Sequence, residues 1–211
     1  MKIPRLYAIA DAGFFPETES LLQFAQEVVA GGVTLLQYRN KSSSARRMLD
    51  DALALRAGLP ENVRLIMNDR ADLCLAAGFG GVHVGQEDLS PESVRRLIGP
   101  SRWLGVSAHN PEQVAAADLT SADYIAVGPV FATGSKERPD PVIGLEGVRR
   151  ARALTSKPLV AIGGITRENC RSVIDAGADS VAVISDLVAV PNSAPKAVVT
   201  DFLRLLSPSL R

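Results

Sequence analysis

The chain has 211 residues, 46% hydrophobic but only 5% aromatic, enough for one large α/β barrel or two small domains with a core of Val, Leu, Ile and Ala. Its 23 Lys plus Arg balance 23 Asp plus Glu, so no global field draws it to nucleic acid or to an anionic membrane, and anion binding has to be local. Cys74 and Cys170 lie far apart in helical patterns, as core thiols of a reducing compartment do, and without a signal peptide or an apolar run near ~20 residues a cytoplasmic chain is expected.

Arg5–Asp11 reads as a first strand ending in an acid, and Phe15 to Ala30 carries apolar residues at helical spacing up to a stop at Gly31-Gly32. Thr34–Arg39 is a second strand that runs out through Asn40 and Lys41, and Ser42–Ser44 start a helix reaching about Gly58. The third strand is Arg64–Asn68, with a short helix to Ala77, and the fourth is Gly81–Gly85, followed by a helix opened by Ser90-Pro91-Glu92. Trp103–His109 is the fifth, with Asn110-Pro111-Glu112 as the next helix start. Tyr124–Phe131 is the sixth and leads into a polar loop over residues 132–143, then a helix over Leu145–Ser156. Pro158–Ile165 is the seventh, with Thr166 capping a helix over Arg167–Ala176, and Ser180–Ser185 is the eighth, before a last helix near Ala194–Leu206. Eight strands alternating with eight helical patterns, without a linker, predict a single (β/α)8 TIM barrel over residues 1–211. An open doubly wound sheet would require two of these strands to be something else.

In such a barrel the site lies beyond the carboxyl ends of the strands, and every polar cluster falls there. The apolar runs Arg64–Met67 and Gly81–Val84 end in Asn68, Asp69, Gln86 and Asp88. Two carboxylates on neighbouring strands suit a hard cation such as magnesium; Asp69 and Asp88 serve as readily as N-caps of the following helices. Gln37, Arg39 and Lys41 alternate, so they share a face if the strand continues, where a guanidinium and an ammonium can meet a diphosphate. Gly163-Gly164-Ile165 and Val183-Ile184-Ser185 end adjacent strands with open backbone and a hydroxyl, which favours a phosphate over a mere tight turn. Thr133-Gly-Ser-Lys136 offers hydroxyls and one cation, and Ser107 is a small polar group at the rim. His109 is read as a structural donor rather than a proton shuttle, and His83 as a barrel-interior histidine.

Taken together, Gln37-Tyr-Arg-Asn-Lys41, Asn68-Asp-Arg70, Gly81-Val-His-Val-Gly-Gln-Glu-Asp88, Gly105-Val-Ser-Ala-His109, Asp123-Tyr-Ile-Ala-Val-Gly-Pro129, Ala161-Ile-Gly-Gly-Ile165 and Val183-Ile-Ser185 resemble the successive motifs of thiamine phosphate synthases. The resemblance spans nearly the whole chain and implies a barrel that joins a hydroxymethylpyrimidine diphosphate to a thiazole phosphate and releases pyrophosphate. It implies that Gln37, Tyr38, Arg39, Asn40, Lys41, Asn68, Ser107 and Lys136 bind the pyrimidine diphosphate, with Arg39, Ser107 and Lys136 catalytic. It also implies Mg²⁺ on Asp69 and Asp88, and Thr133, Gly134, Ser135, Gly164, Ile184 and Ser185 on the thiazole phosphate. The partners would be small phosphorylated heterocycles, with a homo-oligomer left open. Thr133-Gly-Ser-Lys136 departs from the family's usual Thr-x-Thr-Lys but keeps a hydroxyl. Three alternatives stand beside this reading: a thiazole tautomerase using His109, a Schiff-base aldolase using Lys136, and a non-catalytic phosphate-binding barrel. A lysine in a polar loop lacks the desolvation an aldolase needs, and Lys136 together with Asp69, Asp88 and the Gln37–Lys41 set favours the synthase.

Overall fold

Almost every strand residue is buried, which requires both faces of the sheet to be covered. In the computed structural model, which describes residues 2–134, 140–188 and 194–207, this is met by closure. Strands β1 (Leu6–Asp11), β2 (Leu35–Arg39), β3 (Arg64–Asn68), β4 (Gly81–Val84), β5 (Trp103–Ala108), β6 (Tyr124–Val127), β7 (Leu159–Ile162) and β8 (Ser180–Val183) pair in parallel in chain order, and β1 pairs with β8. The expected (β/α)8 barrel is the observed fold.

Between and after the strands lie α1 (Thr18–Ala30), α2 (Ala45–Gly58), α3 (Ala71–Ala76), α4 (Pro91–Ile98), α5 (Pro111–Asp118), α6 (Gly144–Leu154), α7 (Cys170–Asp175), α8 (Ser185–Val188) and α9 (Pro195–Leu206). Alternation along the strands divides the core in two. Tyr7, Ile9, Leu35, Ile66, Tyr124, Val160 and Ala182 fill the barrel interior. Leu6, Ala8, Leu36, Leu65, Val106 and Val181 face outward onto helix residues such as Phe24, Leu55, Val94 and Phe202. Both cysteines are free and buried, as their spacing implied. No helix among the described residues is long and apolar enough to cross a membrane.

Three strands stop short of their apolar runs. β6 ends at Val127 rather than Phe131, because Pro129 brings no N–H to continue the ladder. β7 ends at Ile162 rather than Ile165, because Gly163 and Gly164 turn the chain with φ of +100° and +62°. β8 ends at Val183, and Ser185 opens the short helix α8, which four residues are too few to announce by periodicity. Thr166 does not cap α7. That helix begins only at Cys170 and has no side-chain cap, after a turn in which the Asn169 Oδ1 accepts from the Thr166 N–H at 2.9 Å.

The loop after β6 is closed at its base. The Val130 and Phe131 N–H groups donate to the Ile162 and Gly163 carbonyls, and the Ile143 and Gly144 N–H groups donate back to Pro129 and Val130. Ser135 and Lys136 lie outside the described residues.

Candidate active site

The carboxyl ends of β1 to β4 gather charge. Inward alternation on β2 brings Gln37 and Arg39 to the barrel mouth, opposite Ile9 and Asp11 of β1 in the strand register. Arg39 is ion-paired with the buried Asp11, whose other oxygen accepts from the Gly13 N–H at 3.0 Å. Lys41 reaches across from the loop after β2 to the carboxylate of Asp69. Asp69 is the only described non-glycine residue with positive φ, +62°, a conformation aspartate tolerates better than most. Its N–H donates to the His83 carbonyl at 2.7 Å, and this turn places its side chain against Asp88. Burial raises the Asp69 carboxyl above its ordinary range; Lys41 opposes that shift and the neighbouring Asp88 adds to it.

Neither acid caps a helix. The N-cap position of α3 is Arg70, without a side-chain bond, and α4 is capped by Ser90, whose hydroxyl accepts from Ser93. Asp88 instead accepts from the Gly85 N–H at 2.7 Å. The N-cap alternative is thereby set aside. Two like charges in contact form a place that a divalent cation would relieve. Among the described residues no third His, Cys, Asp or Glu joins them, so the pair could hold magnesium only together with oxygens from a bound phosphate. Asn68 adds a buried Nδ2 that has no hydrogen-bond partner among the described residues, and Gln86 donates to the Ser107 carbonyl at the same rim.

Beside this cluster a pocket opens over β5 to β8. Its floor is apolar (Ile9, Ile162, Ala182, Ile184), and its walls include Gln37, Arg39, Ser107, Thr133, Gly164 and Ser185. The N–H groups of Gly164 and Ile165 make no hydrogen bond among the described residues, and Ser185 begins α8. Loops after the seventh and eighth strands with a short extra helix form the usual phosphate site of such barrels. The glycines have a second reason to be glycine: a Cβ on Gly164 would strike the Ala132 carbonyl and Phe131, and one on Gly163 would strike Pro129. Gly134 is described and exposed on the same loop.

Tyr38 and Asn40, expected within the diphosphate contacts, are not at the pocket. They lie on the opposite side of the β2 alternation from Gln37 and Arg39. The Tyr38 hydroxyl donates to Asp51 of α2 at 2.8 Å, and the Asn40 carbonyl oxygen accepts the Ser42 and Ser43 N–H groups. His109 lines the pocket, and its Nδ1 donates to the Gly128 carbonyl at 2.6 Å, with Asp140 3.5 Å away. Sequence reasoning missed Asp11 as a site residue, although its place at the end of a barrel strand was the signal. It also missed the partners of His83, which lies between Tyr124 and Ser107.

Three comparisons agree on kinship. A family model described as thiamine monophosphate synthase matches residues 6–187. The chain is 60% identical over 209 residues to a thiamine-phosphate synthase of Koribacter versatilis, covering 98% of this chain and 97% of that one. It is 46% identical over 190 residues to one of Chloroflexus aurantiacus, covering 88% and 85%. Among solved structures, a thiamine phosphate pyrophosphorylase from Pyrococcus furiosus superposes with a TM-score of 0.83 at 32% identity, covering 96% of this chain and 95% of that one. With the barrel and its charged mouth in place, these likenesses show that the chain belongs to the thiamine monophosphate synthase family and is a transferase.

Proposed function

We propose that the chain condenses 4-amino-2-methyl-5-(diphosphooxymethyl)pyrimidine with a hydroxyethylthiazole phosphate, giving thiamine phosphate and pyrophosphate. The observation that carries this reading is one apolar-floored pocket with Arg39 at one side and the open backbone of Gly164–Ile165 with Ser185 at the other, next to a rim where Lys41 pairs with Asp69. In this reading the Arg39 side takes the diphosphate and the Gly164–Ser185 side the monophosphate.

Bond breaking at the pyrimidine methylene sends the C–O electron pair onto the diphosphate, and the thiazole nitrogen supplies the pair for the new C–N bond. Charge therefore builds on the leaving group, where Arg39 and Lys41 stabilise it. Asp69 and Asp88 would hold Mg²⁺, which when bound supplies further positive charge to the diphosphate. Lys136, by the family resemblance, adds an ammonium from the loop after β6. The aminopyrimidine ring delocalises the developing cation, so no covalent intermediate with the protein is required. Ser107 and Gln37 orient that ring, and Thr133, Ser135, Gly164, Ile184 and Ser185 hold the thiazole phosphate. A cytoplasmic enzyme fits these substrates.

The test is a direct assay for thiamine phosphate from both heterocycles, with and without Mg²⁺. Product that depends on the metal is expected, and Asp69→Asn, Asp88→Asn and Lys136→Ala should each lower turnover by roughly 10²-fold, the scale of one lost electrostatic contact in the transition state. Full activity in chelator, or in both aspartate variants, would remove the metal from the reading. Absence of product would remove the reading itself.

A further inference from the structure

Beneath the pocket a single chain of hydrogen bonds crosses the barrel. Gln37 Nε2 donates to the Tyr7 hydroxyl at 2.8 Å, and the Tyr7 and Tyr124 hydroxyls are 3.0 Å apart. Tyr124 lies 3.2 Å from His83 Nδ1, and His83 Nε2 lies 2.9 Å from Ser107 Oγ. Only the two ends, Gln37 and Ser107, line the pocket. The three middle residues are buried, with exposures of 1% for Tyr7, 0% for Tyr124 and 8% for His83. A Cβ on Gly105 would collide with both Tyr124 and His83, so a glycine keeps the crossing open.

The chain has a direction. An amide N–H can only donate, so the Tyr7 oxygen accepts it and passes its own hydrogen to Tyr124. Burial holds both phenols well above the ordinary tyrosine range, so each keeps its one hydrogen. Tyr124 then donates to His83 Nδ1. A ring nitrogen that accepts fixes the imidazole hydrogen on the other nitrogen, and Nε2 donates to Ser107. Two groups are left facing the pocket: the carbonyl oxygen of Gln37, which only accepts, and the hydroxyl hydrogen of Ser107, which only donates. Neither has another partner among the described residues.

We propose that Tyr7, Tyr124 and His83 are positioning residues that lock this sense, acceptor at Gln37 and donor at Ser107, and thereby select a 4-aminopyrimidine over its 4-oxo analogue. The inference rests on the function proposed above. An aminopyrimidine donates from its amine and accepts at its ring nitrogen, matching both ends. The 4-oxo ring sets a carbonyl against the Gln37 oxygen and a ring N–H against the Ser107 hydrogen. Accommodating it would require reversing every bond in the chain, including the imidazole tautomer. Sites built from fixed polar partners discriminate strongly because the mismatched groups are left buried and unpaired.

The experiment compares kcat/KM for the 4-amino diphosphate and its 4-oxo analogue in the native enzyme, in Tyr124→Phe and in Tyr7→Phe, each shown to be folded by its melting transition. The native enzyme should prefer the amino substrate by about 10²-fold or more, and each variant should lose roughly tenfold of that preference, with the KM for thiazole phosphate unchanged. Equal loss on both pyrimidines, or undiminished preference, overturns the proposal. A second arm needs no turnover: ¹⁵N NMR of the native protein, with the signal assigned by its absence in His83→Gln, should show Nε2 protonated and Nδ1 bare. An Nδ1-protonated ring reverses the sense and also overturns it. A native chain that makes no thiamine phosphate defeats the proposed function instead, and the imidazole measurement still decides the direction of the chain.

Discussion

Arg39 arrives at the barrel mouth already paired. Its partner Asp11 is 6% exposed and also fastens the Gly13 N–H, so one carboxylate ties β1, its following turn and the guanidinium together. Removing the charge from a part-buried pair leaves the partner uncompensated, which costs more than a surface pair ever contributes. Asp11→Asn is expected to lower stability by about 1–3 kcal/mol in urea titration and, by loosening Arg39 where charge builds on the leaving diphosphate, to lower kcat several-fold. An unchanged kcat would mean that Asp11 holds only the turn. At this scale the sequence was legible where one rule sufficed. The period of two along β2 put Gln37 and Arg39 at the mouth, and the same rule, applied strictly, sends Tyr38 and Asn40 away to α2 and the loop. The positive φ of Asp69 was not legible, because aspartate adopts it only where surrounding structure requires it.

Among the elements, the turn after β7 is where sequence and structure assign different reasons to the same residues. The sequence offered Gly163-Gly164 as an approach for phosphate. The structure adds that both glycines pack directly on the base of the loop after β6. A side chain at residue 164 therefore meets backbone before it meets ligand, on top of the strain of φ +62°. Gly164→Ala should lower stability by about 1–3 kcal/mol and weaken the thiazole phosphate, whereas Ser185→Ala should weaken that substrate and leave the melting temperature within a degree or two. Loss of thiazole phosphate binding in Gly164→Ala without loss of stability would return these glycines to a purely ligand-facing role. The early ends of β6, β7 and β8 escaped the sequence for a related reason: apolar residues continue past each strand into buried loop contacts, so hydropathy alone does not mark where pairing stops.

The whole barrel was the most legible level, because eight strands apolar on both faces, alternating with helical patterns, leave few other closed solutions. The two cysteines fit that interior, and Cys74 gives it a measurable signature. Burial, partly offset by the Arg102 charge, raises its thiol from 9.0 to about 11. The folded chain thus holds this proton where the unfolded chain releases it. The contribution is fully present below about pH 9 and is lost as the pH rises through about 11, a fall of about 2–3 kcal/mol. Buried tyrosines, whose protons the unfolded chain releases from about pH 10, lower stability in the upper part of the same window, so the comparison is with Cys74→Ala, whose packing loss does not depend on pH. Its stability should decline less steeply from pH 9 to 11; parallel curves would place the thiol in a wetter setting.

The hydrogen bonds at the base of the loop after β6 run from Val130 and Phe131 to the β7 turn, and from Ile143 and Gly144 back to Pro129 and Val130. They close a clasp that the barrel holds on its own side. Both ends of the stretch that follows β6 are thereby fastened to the barrel rather than to each other's contents, so a substitution in the loop is felt at the site while the strands below keep their register.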